Sequence, residues 1–131
     1  MINTRYIAIS VLFVTFVTGC ISLPQQKAKD INSEKLVGTW KSMSFDGLMA
    51  NDYSSETFTF NQDSTFHEET KFAKGVETQF NGTYKIAGRK IVLDSGKGNV
   101  ATVPLYLKED TLIITRRAGI GRVKVTFERV N

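Results

Sequence analysis

From Leu36 onwards, apolar residues recur at every second position in short runs, with turn-forming residues between them about every 8 to 12 residues. Val, Ile, Thr, Phe and Tyr dominate these runs, and such residues suit a pleated, half-buried surface. The pattern predicts eight strands over residues 37–45, 56–61, 65–72, 77–86, 90–94, 101–107, 111–117 and 122–130. No segment shows a helical period. Upstream the pattern changes. Residues 6–17 (YIAISVLFVTFV) are continuously apolar, and residues 21–33 (ISLPQQKAKDINS) are polar, carry Pro24 and have no period.

The connections carry the residues that hairpins need. Asn61-Gln62-Asp63-Ser64, Ala87-Gly88-Arg89 and Lys108-Glu109-Asp110 are short polar turns. Lys74-Gly75, Ser95-Gly96-Lys97-Gly98-Asn99 and Ala118-Gly119-Ile120-Gly121 supply glycines for positive φ. Asn81-Gly82 reads either as a further hairpin turn or as a bulge within one strand; the common parity of Phe80, Tyr84 and Ile86 favours the bulge. Pro104 removes a backbone donor from the sixth strand. Consecutive antiparallel strands on short loops predict an all-β, eight-stranded antiparallel up-and-down barrel, which leaves no open sheet edge; a two-sheet sandwich is the alternative.

The first residues predict export. Arg5 precedes the apolar run, which is shorter than the ~20 residues that a hydrocarbon core demands. A basic start, a short apolar run and small residues describe a secretory signal peptide. Val17-Thr18-Gly19-Cys20 resembles the lipobox of bacterial lipoproteins. That resemblance implies cleavage after residue 19, lipidation of Cys20 and attachment to a membrane by acyl chains. Residues 1–19 are then the signal peptide, residues 20–35 the lipidated cysteine and a flexible tether, and residues 36–131 the folded domain. Ile21 after the cysteine points to the periplasmic face of an outer membrane if the host is Gram-negative. Cys20 is the one cysteine, so no disulfide braces the domain. About 110 residues remain after cleavage, enough for one core and too few for two domains.

Gly38-Thr39-Trp40 matches the Gly-x-Trp near the first strand of lipocalins. Asn81-Gly82-Thr83-Tyr84-Lys85-Ile86, Gly88, Lys90-Ile91-Val92-Leu93 and the ending Phe127-Glu128-Arg129-Val130 are similar to short bacterial lipocalin-like domains. The resemblance spans residues 36–130. It implies an arginine of the last strand packed over the tryptophan, with Gly38, Trp40 and Arg129 closing the barrel. Periodicity supports that independently: Val123, Val125, Phe127 and Arg129 share one face, and an arginine in phase with a core stripe can stack on an indole. The chain is shorter than typical lipocalins, which leaves open whether a ligand cavity exists.

The net charge is +4, unevenly spread: ten Lys or Arg against four Asp or Glu from Lys85 onwards, and four against nine from Asp30 to Tyr84. This reads as cross-strand complementarity; no basic helix or aromatic-basic stripe points to nucleic acid. His67 is the one histidine. It shares a face with Glu69, while Phe66 and Glu68 share the other, and nothing marks it as catalytic. No zinc ligand set or phosphate loop is present, so neither a metal nor a cofactor is expected, nor an enzyme. Two function classes remain: a module holding a small apolar or amphipathic ligand at the open barrel end, or an envelope interaction or inhibitor protein with a filled barrel. Alternation of strand direction puts the longer, glycine-rich loops at one end. Leu48, Met49 and Tyr53 in the longest loop and Arg116, Arg117 and Arg122 on the rim are the candidate ligand contacts. A mildly positive rim above an apolar interior predicts a ligand with an anionic head, such as a fatty acid.

Overall fold

The computed structural model describes residues 31–131. The expected signal peptide, Cys20 and the expected tether up to residue 30 lie outside the described residues. Eight strands, β1 (Gly38–Gly47), β2 (Tyr53–Phe60), β3 (Thr65–Phe72), β4 (Glu77–Ala87), β5 (Lys90–Asp94), β6 (Val100–Lys108), β7 (Thr111–Ala118) and β8 (Gly121–Val130), close into one antiparallel barrel in chain order. The last strand pairs with the first, Trp40 directly opposite Arg129. Alternation sends Phe58 and Phe60 of β2, Leu112 and Ile114 of β7, and Val123, Val125 and Phe127 of β8 inward. On β1 the register with β8 shifts between Ser42 and Ser44. That bulge skips Met43 to the outside and lets Trp40 and Phe45, of opposite parity, both reach the core side.

Two short helical turns appear where the sequence shows no helical period. The four-residue α1 (Ser33–Leu36) is capped by the Asn32 side chain, which accepts the Glu34 amide at 2.9 Å. It occupies the last positions of the expected tether and buries Leu36 completely. A 3₁₀ turn, Ala50–Asp52, lies between β1 and β2. Four and three residues are too few to write a 3.6-residue period.

The expected bulge at Asn81-Gly82 is absent. β4 pairs with β3 without a register shift, Phe66 opposite Gly82 and His67 opposite Asn81. Gly82 serves a close approach instead: a Cβ there would sit 1.8 Å from the Asp94 carbonyl oxygen. β5 crosses tightly at this point, and its ladder with β4 ends at Thr83–Asp94. The first half of β4 therefore has no ladder with β5. Pro104 marks a second division. β6 pairs with β5 over Val100–Pro104 and with β7 over Leu105–Lys108. The missing donor falls where pairing passes from one neighbour to the other, so it breaks no ladder on both sides.

One end of the barrel is sealed. Trp40, fully buried, donates its indole N–H to the Leu36 carbonyl at 2.8 Å. The Arg129 guanidinium lies 4.3 Å from the ring centroid and donates to the carbonyls of Val37 (2.7 Å) and Lys35 (2.5 Å). Gly38 has φ 138°, and a Cβ on it would meet Arg129 Nη1 at 2.6 Å. The glycine of Gly-x-Trp thus leaves room for the arginine that covers the tryptophan. Ile31 adds a backbone hydrogen bond to Gly88 at the same end.

Candidate functional site

The sealed half is filled by side chains. Phe58 stacks on Phe60 at 5.2 Å, Phe127 meets Phe58 edge-on at 5.7 Å, and Tyr84 meets Phe60 at 5.1 Å. Beyond this aromatic layer the barrel is hollow. A cavity of about 760 Å³ opens on the side where β4 leaves β5 and β6 leaves β7. Phe58, Phe66, Leu93 and Ile114 form apolar wall, and Glu68 and Arg116 are its inner charged groups. Phe80, Ser95, Asn99 and Val100, with the exposed Lys90, Arg117 and Arg122, surround the mouth. The volume lies within the ~300–1,000 Å³ of small-molecule sites. A hollow of this size favours a ligand-holding barrel over one filled by its own side chains.

The interior is not uniformly apolar, as the sequence reading had it. Glu56 sits in phase with Phe58 and Phe60, Glu68 with Phe66, and Arg116 with Leu112 and Ile114, so barrel closure points all three charges inward. Arg116 donates through Nη1 to Glu68 Oε1 at 2.6 Å and through Nη2 to Glu56 Oε1. Thr70 also donates to Glu68 Oε1, at 3.3 Å. Glu56 is 0% and Glu68 7% exposed. Two carboxylates thus face one guanidinium, and Glu56 Oε2 and Arg116 Nε are buried without partners. Burial pushes the Glu68 carboxyl up to about 7, against the lowering pull of the Thr70 hydroxyl. Burial also lowers the Arg116 guanidinium from its ordinary value, with Tyr53 opposing.

Such a cluster is weak evidence of stabilisation. Desolvating three charges costs as much as their attraction returns, and an apolar replacement is commonly neutral or better. The cluster is left half-satisfied, and its Glu68 and Arg116 border the hollow.

The structure divides the candidate ligand residues. Arg116, Arg117 and Arg122 line the cavity; Leu48, Met49 and Tyr53 do not. Arg116 is not a free rim cation, because both its terminal nitrogens engage buried glutamates. Leu48 is 73% exposed, and Leu48 and Met49 lie against Gly121 at the start of β8. Tyr53 stacks between Phe45 (5.3 Å) and Phe72 (5.1 Å), with the Arg116 guanidinium 6.0 Å from its ring. It packs behind the charged cluster. Sequence reasoning missed Glu56 and Glu68, although the phase of each with apolar neighbours was visible. His67 lies on the outer face, its Nδ1 2.5 Å from the Asn81 side-chain oxygen, and is not part of the cavity wall.

A family model described as a lipocalin-like domain matches residues 36–114. Among solved structures, the chain is similar to a lipocalin-like protein from Bacteroides uniformis, at 17% identity and TM-score 0.50, over 73% of this chain and 99% of that one. It is similar at 15% identity to the fluorescent protein UnaG, covering 76% of this chain and 100% of that one with TM-score 0.48. Fatty-acid-binding protein 1 of Echinococcus granulosus aligns at 13% identity and TM-score 0.46, over 75% of this chain and 99% of the other. At such identities the likeness is one of fold. No curated protein matches the sequence. With a family match over more than half its length, on a closed eight-strand barrel, the chain belongs to the lipocalin-like domain family.

Proposed function

We propose that this protein is a lipid-anchored envelope protein that holds a small amphipathic molecule inside its barrel and does not transform it. The observation that carries the ligand half of this reading is the hollow of about 760 Å³, walled by Phe58, Phe66, Leu93 and Ile114 and carrying two charged side chains within. An apolar wall with a few placed polar groups suits a ligand with an apolar body and one polar head. The anchoring half rests on Val17-Thr18-Gly19-Cys20 after an apolar run. The chain enters the domain at the sealed end, where Ile31 bonds Gly88 and α1 sits beneath Arg129.

The test has two arms. Native mass spectrometry of the soluble domain, purified from its own envelope, should find a retained small molecule; an empty barrel that also fails to take up a neutral apolar dye such as Nile red refutes the ligand reading. Cys20→Ser should remove the acyl mass and release the protein from membranes; unchanged fractionation refutes the anchor.

A further inference from the structure

The charges inside the cavity specify the ligand's head. A carboxylate entering the site would place a third anion around one guanidinium whose terminal nitrogens already serve Glu56 and Glu68. The remaining nitrogen, Arg116 Nε, is fully buried, without a partner and out of contact with solvent in the cavity. A hydrogen-bond donor meets the opposite situation. Glu68 lines the cavity, is nine-tenths buried, and spends one oxygen, Oε1, on both Arg116 and Thr70. Its Oε2 makes no hydrogen bond among the described residues. Behind it, Glu56 keeps a second carboxylate oxygen with no partner. A protonated amine beside Glu68 would add a second cation to a cluster that holds two buried carboxyl groups against one guanidinium, and would favour the ionised form of Glu68.

We propose, building on the ligand reading above, that the cavity selects amphipathic ligands whose polar head is a hydrogen-bond donor, a protonated amine above all, bound head-inward at Glu68 with the apolar body running past Phe66 and Leu93 to the mouth. The cations at the mouth, Lys90, Arg117 and Arg122, do not reverse this preference. They are exposed, and surface charges are screened over about 8 Å at physiological salt. The protein's overall positive charge would by itself favour an anion, so a preference for an amine cannot arise from non-specific attraction.

The experiment compares dodecylamine with dodecanoate, below their micellar concentrations, by calorimetric titration of the lipid-free wild-type protein and of Glu68→Gln at 150 mM salt. The amine should bind at least tenfold more tightly than the acid to the wild type, and Glu68→Gln should erase that difference. In the wild type, the methylene beside the amine nitrogen should give NMR cross-relaxation to Phe66 and Arg116. That measurement needs no variant and stands should Glu68→Gln fail to fold. Equal or tighter binding of dodecanoate, or contacts of the amine head only with Ser95 and Asn99, overturns the head assignment and leaves the cavity reading standing. Binding of neither probe, with Nile red also excluded, overturns the cavity reading and this inference with it.

Discussion

Replacing Arg129 tests how the barrel is closed. In Arg129→Met the aliphatic stem stays and the guanidinium goes. Three interactions are lost: two charge-assisted hydrogen bonds to the carbonyls of Val37 and Lys35, and the stacking 4.3 Å above Trp40. Hydrogen bonds to charged groups contribute about 1.5–3 kcal/mol each, and a cation over an indole about 0.5–2. The side chain is 24% exposed, so water takes up part of the loss, and low values apply. The ion pair with Asp110 adds little, because Asp110 is almost fully solvated. A loss of about 2–4 kcal/mol follows, a large share of the ~5–15 kcal/mol that holds a domain of this size. Arg129→Lys should recover less than half, because a single ammonium cannot span two carbonyls and does not stack as a plane. Urea unfolding of a soluble form beginning at residue 21 reads this directly. Trp40 is the one tryptophan and is fully buried, so its emission reports the sealed end itself. A loss below about 0.5 kcal/mol, or a lysine variant as stable as the wild type, would refute the clasp.

Three further outcomes follow from the same geometry. Trp40→Ala removes the largest buried side chain and its bond to Leu36, and should cost about 3–5 kcal/mol in urea melts. Gly82→Ala should lower the melting temperature by several degrees, for a loss of about 2 kcal/mol or more, because its Cβ meets the Asp94 carbonyl; an unchanged melt would mean β5 yields freely. Glu68→Gln should change the pH dependence of stability. Between pH 4.5 and about 7 the unfolded chain has released this proton and the folded protein has not, so wild-type stability falls as pH rises through that window, by about 1.4 kcal/mol per unit and on the order of 3 in all. The glutamine variant lacks that slope, so its stability relative to wild type should rise from pH 4.5 to 8, and parallel curves would show that Glu68 ionises normally.

The strands were legible because a two-residue period is written locally, and each run of β-branched and aromatic residues is bounded by its own turn. Their ends extend by one to three residues where hydrogen bonding continues past the apolar stripe, as at Tyr53 and Gly47. The turn at Ser33–Leu36 left no trace, since it is held by Asn32 and by Arg129 from the far end of the chain. The cavity charges were half legible. Arg116 continues the phase of Leu112 and Ile114 as Arg129 continues that of Val125 and Phe127, but its place beside a glycine turn suited a rim cation equally well. What separates the two readings is a meeting across the barrel interior: β7 has no ladder with β2 or β3, yet closure brings Arg116 to Glu56 and Glu68. No local pattern records a partner 48 or 60 residues away on a strand that is not a neighbour.

The ladder between β1 and β8 also governs when the protein can become itself. The guanidinium that covers Trp40 reaches back 92 and 94 residues to the carbonyls of Val37 and Lys35. Every hairpin from β1 to β7 can form from neighbouring sequence as the chain lengthens, but the outer edge of β1 waits for the last strand. A growing chain that stops short of Arg129 has its tryptophan uncovered, its first helical turn unclasped and an unpaired edge on β1. Contacts of such sequence separation are slow to form, since loop closure must come before they stabilise anything. The seam between β1 and β8 is thus the last part of the barrel that can form, and the clasp over Trp40 forms with it.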